Sequence, residues 1–238
     1  MGGDNTVSAM NLPPPSSRRS LIIAIDGPSG AGKGTVARAV AARLHYRHVD
    51  TGAMYRAVAW KAVDEALDLA DEAAVAALAA RIRIDVSDGQ VSVDGRDVRE
   101  AIRTPEIDAA AAAVARQARV RQVLIGQQRE MGSGGGVVME GRDIGTVVFP
   151  QADVKVYLDA SPDERARRRA QDPQHAAGRG GIAVQDIASA LAARDRSDQT
   201  RAASPLAQAA DAVRIDTTGV PVDEVVARVL ELVKQRSR

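Results

Sequence analysis

Cysteine is absent from this chain of 238 residues. Its absence excludes disulfide bonds, thiolate metal sites and a cysteine nucleophile, and it fits a reducing cytoplasm. Asparagine occurs only at Asn5 and Asn11, so the Asn-Lys-x-Asp motif with which nucleotide-gated switches read guanine is missing too. No apolar run is long enough to span a membrane, and 32 basic residues nearly balance 31 acidic ones. We therefore expect neither membrane binding nor bulk nucleic-acid binding.

A glycine-rich segment follows the apolar run at residues 21–25. A strand, a glycine-rich loop and a helix start are typical of a phosphate cradle, which binds a nucleoside triphosphate through backbone N–H groups and a lysine, here Lys33. The general pattern has Ser or Thr after that lysine, whereas this chain has Gly34 and then Thr35, a variant that nucleoside monophosphate kinases use. The alternative is a glycine-rich turn with a chance lysine. The predicted loop comprises Gly27, Pro28, Ser29, Gly30, Ala31, Gly32, Lys33, Gly34 and Thr35.

Apolar runs alternate with helical stretches along the chain, which predicts an α/β fold with a mostly parallel sheet flanked by helices. Residues 70–118 interrupt this alternation, because they contain short apolar runs separated by the hairpin signals Asp88-Gly89 and Asp94-Gly95. We expect an inserted subdomain there, with a small antiparallel sheet and a helix at about 105–116. The five strands of the main sheet are predicted at 21–26, 46–50, 136–140, 153–159 and 212–216.

This pattern divides the chain into three parts. Residues 1–20 contain no apolar core of the signal-peptide type, so we predict a disordered tail. Residues 21–69 and 119–238 form the predicted core, and residues 70–118 form the insert.

Polar residues follow two predicted strands, where an open α/β sheet presents groups to a ligand. Thr51 and Arg56 follow the second strand, and their hydroxyl and guanidinium groups could hold a sugar or a phosphate. Arg142 and Asp143 follow the third strand. The alternatives are an N-capping Asp50 or Thr51 with a solvated Arg56, and a purely structural Arg142–Asp143 pair.

Two arginine-rich segments follow later in the chain. One lies in a helix that begins after the capping residue Ser161 and contains Arg165 and Arg167–Arg169. The other extends from Arg194 to Arg201. Charged runs on helices are usually solvated faces, which is the alternative for each segment. Several arginines that converge on phosphates would instead stabilise the charge that develops during phosphoryl transfer.

With these motifs the chain resembles the bacterial-type cytidylate kinases across about residues 21–235. The matching segments are 26–35, 50–56, 141–150 and 194–206. The resemblance implies a P-loop kinase fold with a monophosphate-binding insert and a mobile lid at about 171–181. It implies ATP-dependent phosphorylation of CMP and dCMP with Mg²⁺ held by phosphates and water, and we expect a monomeric cytoplasmic enzyme.

The resemblance also implies roles for individual residues. Lys33, Arg142, Arg194 and Arg201 are the expected catalytic residues, and Arg165, Arg169 and Arg179 are expected on the lid, beside the donor. The expected CMP-binding residues are Thr51, Tyr55, Arg56, Arg121, Gly141, Arg142, Asp143, Arg194, Asp198 and Arg201, and among them Arg121 and Asp143 would read the cytosine.

One position departs from the family pattern. The family commonly has a serine in the insert helix that helps to read the base, and the alignment places Ala112 there, within an alanine run that leaves the register open by a residue or two. Cytosine recognition would then depend more heavily on Arg121 and Asp143. The alternatives to a cytidylate kinase are a P-loop kinase for another monophosphate or a small alcohol, and a nucleotide-gated switch.

Overall fold

The computed structural model describes residues 20–172 and 183–237. The main sheet has five parallel strands, which confirms the predicted fold class. They are β1 (Ile22–Asp26), β2 (Arg47–Asp50), β6 (Val137–Gly141), β7 (Val154–Asp159) and β8 (Val213–Asp216). Their order in the sheet is β2-β6-β1-β7-β8. Each predicted strand lies within one residue of its observed bounds.

Helices cover both faces of this sheet. The helices within the described residues are α1 (Lys33–Leu44), α2 (Thr51–Asp64), α3 (Glu72–Arg81), α4 (Pro105–Val114), α5 (Ala118–Gly132), α6 (Pro162–Gln171), α7 (Val184–Thr200) and α8 (Val222–Arg236). Within the same residues, no helix combines the length and the apolar character that crossing a membrane would require. The predicted tail lies outside the described residues except for Ser20, and the predicted lid lies outside them except for Gln171 and Asp172.

Residues of β1 alternate between two apolar layers, because successive side chains of a strand point to opposite faces of the sheet. Ile23 and Ile25 pack with α1 and α8, whereas Ala24 packs on the other face with Met139 and Ile144. All five strands are parallel, so their carboxyl ends meet at one edge. Register pairs Asp26 with Gly141 at that edge. The fold therefore places the segments that follow β1, β2 and β6 side by side.

The insert contains the antiparallel sheet that its hairpin signals predicted. Its strands are β3 (Ile84–Ser87), β4 (Gln90–Val93) and β5 (Arg96–Asp97). Asp88 and Gly89 connect the first pair and Asp94 and Gly95 the second, and all four residues have positive φ angles between 50° and 83°. Such angles are those of tight hairpin turns.

The helices of the insert differ in part from the prediction. Helix α4 begins at Pro105, behind the capping residue Thr104, but it ends at Val114 rather than at Arg116. Helix α3 was not predicted from the sequence. The small sheet, α3 and α4 share one apolar cluster with α2 and α5. The insert is therefore packed against the core through apolar residues.

Candidate active site

A cavity of about 820 Å³ lies at the carboxyl edge of the main sheet. Its walls come from the glycine-rich loop, the segments after β2 and β6, and the helices α4 to α7. Most of the residues predicted for the site line it, namely Ser29 to Thr35, Thr51, Tyr55, Arg56, Arg121, Gly141, Arg142, Asp143, Arg169, Arg194, Asp198 and Arg201. The tertiary structure thus brings together residues that lie up to 172 positions apart in the sequence.

The glycine-rich loop requires glycine where other backbone or side chains approach closely. Gly27 has a φ of 147°, and a Cβ there would overlap the carbonyl oxygen of Leu158. Gly32 is the N-cap of α1 with a φ of 87°. These angles are unfavourable for residues with a side chain. The loop can therefore turn tightly into the N-terminus of α1, where backbone N–H groups favour a bound anion.

Lys33 is buried at the start of α1, and its Nζ donates a hydrogen bond of 2.7 Å to the carbonyl oxygen of Pro28. Burial is the main cause that lowers the pKa of Lys33 to about 7, and repulsion from Arg142 adds to it. The negative charges of Glu140 and Asp26 act in the opposite direction. A bound polyphosphate would favour the charged form of this lysine.

Glu140 is a part of the site that sequence reasoning missed. It is buried at the end of β6, and its Oε1 would lie 3.0 Å from a Cβ at position 34. This close approach gives a local reason for Gly34 after the lysine. His48 Nε2 lies 3.1 Å from the same Glu140 oxygen. The sequence gives no signal for this pair, because 92 positions separate its members.

The segment after β2 forms one side of the cavity. Asp50 caps α2 by accepting a hydrogen bond of 3.1 Å from the Ala53 amide, so the N-cap alternative is correct for this residue. Thr51 Oγ1 donates to the carbonyl oxygen of Glu140 at 2.7 Å. Arg56 is not simply solvated, because it lines the cavity and its Nε lies 3.1 Å from Asp108 Oδ1 of the insert helix α4.

Arg121 and Asp143 form a buried pair at another part of the wall. Arg121 Nη2 donates to Asp143 Oδ2 at 2.5 Å, and the guanidinium lies 5.3 Å from the centroid of the Tyr55 ring. Arg201 Nη2 lies 3.8 Å from the other oxygen of Asp143. Burial raises the pKa of Tyr55 to about 12, so its hydroxyl stays protonated. This corner offers a carboxylate and several N–H donors to a polar ligand edge.

Two alanine side chains at the C-terminal end of α4 close the cavity on this side. Ala111 of α4 and its C-cap Ala115 line the wall, four residues apart, and the backbone of the C-cap is still helical. Ala112, which the alignment matched to the family serine, is not among the lining residues. The wall on this side therefore offers small apolar side chains.

Three basic residues of the predicted site surround Asp198 of α7. Arg142 Nε lies 3.1 Å from Asp198 Oδ2, and Arg201 Nη1 lies 3.5 Å from Asp198 Oδ1. The Arg194 side chain also lines the cavity, and Asp198 attracts its charge. Burial, followed by repulsion from Arg142 and Arg56, lowers its pKa to about 10. This excess of positive charge favours a bound anion.

The arginines predicted for the lid differ in their surroundings. Arg165 is buried and does not line the cavity, since its Nη1 donates to the Ser29 carbonyl oxygen at 3.1 Å and forms an ion pair with Asp195. Arg169 lines the cavity, and its Nη2 donates to Ser29 Oγ at 2.7 Å. Arg179 lies outside the described residues. Helix α6 is therefore joined directly to the glycine-rich loop.

Two further groups of lining residues were not predicted. Arg103, in the short 3₁₀ turn before α4, adds a cation from the insert. The loop after β8 adds a wall next to α6, where Arg168 donates to the Thr217 carbonyl oxygen at 2.6 Å. The position of this loop at a strand end was the available signal. Its lining residues are Thr217, Gly219, Val220 and Pro221.

The parallel sheet, the glycine-rich loop and the arginine-lined cavity define a P-loop kinase fold. The family model described as "Cytidylate kinase" matches residues 23–235. A cytidylate kinase of Pelotomaculum thermopropionicum is 50% identical over 222 residues, which cover 91% of this chain and 97% of that protein. A cytidylate kinase of Solibacter usitatus is 46% identical over 219 residues, covering 92% of this chain and 94% of that protein.

A solved shikimate kinase of Bacteroides thetaiotaomicron is similar with a TM-score of 0.49 and 13% identity, covering 90% of this chain and 98% of that one. The family assignment follows from the sequence relatives and the family model. This chain belongs to the cytidylate kinase family.

Proposed function

We propose that this chain transfers the γ-phosphoryl group of ATP to CMP and dCMP, giving ADP and CDP or dCDP. The observation that supports this best, beside the family membership, is that one cavity contains both Lys33 of the phosphate loop and the buried Arg121–Asp143 pair. A donor and an acceptor bound in one cavity can react directly, because the enzyme then only needs to align them.

The donor binds at the glycine-rich loop. Residues 29–35 line the cavity and supply backbone N–H groups, and the Lys33 ammonium lies at the outer phosphates. Arg169 approaches from α6 and contacts the loop at Ser29. The loop at 217–221 contributes the wall nearest α8, where we place the adenosine part of ATP. Arg165 acts as a positioning residue, because it is buried between Ser29 and Asp195.

The acceptor phosphate lies between the segments after β2 and β6. Arg56 and Arg142 approach from these segments, and Arg194 and Arg201 from α7. Asp198 holds two of these guanidiniums in place at 3.1 and 3.5 Å. The arginines orient the CMP phosphate for in-line attack on the γ-phosphorus and stabilise the charge that develops there.

The cytosine edge meets Arg121 and Asp143. Its exocyclic amino group donates a hydrogen bond, and its N3 and O2 accept hydrogen bonds, so a carboxylate and a guanidinium complement it. Tyr55 packs beside Arg121 and limits how that guanidinium can move. Ala111 and Ala115 provide no polar contact, so base selection depends on the charged pair.

No general base is needed for this reaction. The second ionisation of a phosphate monoester has a pKa of about 6, so the acceptor is already anionic near neutral pH. His45 and His48 are described residues with no proposed chemical role, and His175 lies outside the described residues.

Magnesium is proposed to bind through the nucleotide. Within the described residues, no group of three or more His, Cys, Asp or Glu side chains could hold a metal ion. Asp50 and Glu140 line the cavity and could accept hydrogen bonds from its water ligands. Bound Mg²⁺ would neutralise phosphate charge during the transfer.

An ADP-coupled assay with ATP, Mg²⁺ and a panel of acceptors tests the proposal. The panel contains CMP, dCMP, UMP, AMP, GMP and a small alcohol such as shikimate. We expect CMP and dCMP to give the highest catalytic efficiencies, whereas preference for another acceptor would support a different kinase of this fold. A monomeric cytoplasmic enzyme, without nucleic-acid or membrane partners, remains our prediction.

A further inference from the structure

Asp26 is a buried carboxylate that the mechanism above does not use. It ends β1, directly before the glycine-rich loop, and is 5% exposed. Its Oδ1 accepts a hydrogen bond of 2.8 Å from the Ile144 amide, and its Oδ2 accepts one of 2.7 Å from the Gly145 amide. These amides belong to the two residues directly after Asp143. The carboxylate thus links the strand before the donor loop to the backbone that holds Asp143.

The segment after Asp143 is an uncommon structure for a loop. Residues Ile144–Val148 form one π-helical turn, in which the amides of Val147 and Val148 both donate to the Asp143 carbonyl oxygen. The first amides of such a turn have no partner within the turn itself. Asp26 supplies acceptors for the first two of these amides, those of Ile144 and Gly145. The position of the Asp143 backbone therefore depends on Asp26.

We propose that Asp26 is a positioning residue for base recognition: its ionised carboxylate holds the turn that aims Asp143 at the cytosine, and it joins that turn to the ATP-binding loop. This inference rests on the proposed cytidylate kinase activity and deepens it. Both carboxylate oxygens of Asp26 must accept a hydrogen bond if the amides of Ile144 and Gly145 are both to be paired. A protonated or amidated side chain has only one accepting oxygen and would oppose one N–H with another donor.

Three charged side chains lie near Asp26, each from a different neighbouring segment. Lys33 of α1 attracts the carboxylate, whereas Asp143 repels it. Lys155 of β7 passes beside Gly145, but its Nζ donates to the Pro150 carbonyl oxygen at 2.6 Å and to Asp211 at 2.9 Å. Burial raises the pKa of Asp26 to about 6, although the two hydrogen bonds from the backbone amides lower it. Protonation would thus begin to release the turn in mildly acidic solution.

The test compares wild type with Asp26→Asn at several pH values, using CMP and UMP as acceptors. At a pH of about 8 we expect a loss on the order of ten-fold in kcat/KM for CMP and a smaller loss for UMP, since one charge-assisted bond to the turn is lost. The ratio of wild-type to variant efficiency should then fall towards one as the pH drops through the pKa of Asp26. Ionisation of the CMP phosphate cancels in this ratio.

Asp153→Asn is the matched control. Asp153 Oδ2 accepts a hydrogen bond of 2.9 Å from the Ile22 amide at the opposite end of β1. We expect this variant to keep the wild-type CMP to UMP preference and the wild-type pH profile. A ratio for Asp26→Asn that is constant with pH, an unchanged base preference, or the same changes in Asp153→Asn would each overturn the proposal.

A measurement on the wild-type protein covers the case in which Asp26→Asn does not fold. The amide signals of Ile144 and Gly145 should shift in an NMR titration with the same midpoint as the carboxyl carbon of Asp26. Amides that do not follow the carboxyl titration would overturn the inference. This readout needs no turnover, so its failure is distinct from a failure of the proposed activity, which wild-type turnover of CMP tests alone.

Discussion

At the scale of single residues, the site is dominated by cations that are buried or half-buried without full compensation of their charge. Burial lowers the pKa of Lys33 to about 7 and the pKa values of Arg169 and Arg194 to about 10. The charged form of each group is costly in the protein alone and is favoured when an anion arrives. The residues of this cavity therefore gain most from ligands that bring several negative charges.

Lys33→Met tests the donor side. We expect phosphoryl transfer to be lost to below about one hundredth of wild type, since the charge at the outer phosphates is removed. CMP binding should remain close to wild type, because the acceptor arginines come from other elements. A coupled ADP assay and calorimetry with CMP measure both. Near-normal turnover in this variant would contradict the placement of ATP at the glycine-rich loop.

Asp143→Ala tests base recognition. Uracil presents a carbonyl oxygen where cytosine has an amino group, and an N–H where cytosine N3 accepts. When UMP binds to the wild-type protein, polar groups of the base and of the Arg121–Asp143 pair are therefore left without hydrogen bonds, at a cost of about 1–3 kcal/mol each. We expect the variant to lose much more efficiency for CMP than for UMP, which narrows the preference.

Ala112→Ser serves as the comparison for that variant. Ala112 lies outside the cavity wall, so we expect the CMP to UMP preference to stay as in wild type or to sharpen. The measurement is the ratio of kcat/KM values for the two nucleotides in all three proteins. An unchanged ratio in Asp143→Ala would remove Asp143 from base recognition.

At the scale of elements, helix α4 connects the stability of the insert with the geometry of the proposed acceptor site. Thr104 caps it by accepting a hydrogen bond of 3.2 Å from the Ile107 amide, and Pro105 occupies the first helical position. The helix then provides Asp108, which pairs with Arg56, and the alanine wall. A defect at its first turn should therefore affect both folding and acceptor binding.

Thr104→Ala should lower the free energy of unfolding by about 1 kcal/mol, because one amide of the first turn loses its acceptor. Thr104→Ser keeps the hydroxyl and is the matched control. Urea denaturation of the three proteins measures the difference, and KM for CMP should rise only in the alanine variant. Equal stability of the alanine and serine variants would show that the cap does not stabilise α4.

At the scale of the whole molecule, the cavity is made jointly by the sheet edge, the insert and the helices α6 and α7. The contacts of Ser29 with Arg165 and Arg169 join α6 to the glycine-rich loop, and the contact of Arg56 with Asp108 joins α2 to the insert. Because Lys33 lies in this cavity, the binding of an anionic ligand there is coupled to the protonation of Lys33. Lys33 binds fewer protons in the folded protein than in the unfolded chain, so its contribution to stability increases as the pH rises above about 7.

ATP binding should therefore take up protons. At a pH of about 8 Lys33 is largely neutral in the free protein, and the triphosphate charge raises its pKa, so we expect uptake approaching about one proton. Calorimetry in two buffers with different ionisation enthalpies gives the number of protons taken up on ATP binding. The Lys33→Met variant should take up correspondingly fewer protons. Equal proton uptake in the two proteins would contradict a neutral Lys33 in the free state.

The sequence by itself determined the features that depend on neighbouring residues. The glycine-rich loop is one contiguous segment whose backbone makes the site, and the strand bounds and hairpin turns follow from apolar periodicity and from Asp-Gly pairs. These signals are local, so a linear pattern contains them. The family resemblance added residues such as Arg121, which periodicity alone does not distinguish from a surface arginine.

Only the tertiary structure decided which polar groups meet. Arg165 and Arg194 look alike in the sequence, yet one pairs with Asp195 and the other faces the cavity. The contact of His48 with Glu140 and the bonds from Asp26 to the turn after Asp143 join residues 92 to 119 positions apart. Such pairings depend on strand order and on the rotation of each helix, because burial excludes water and every buried polar group must find its partner across the packed elements.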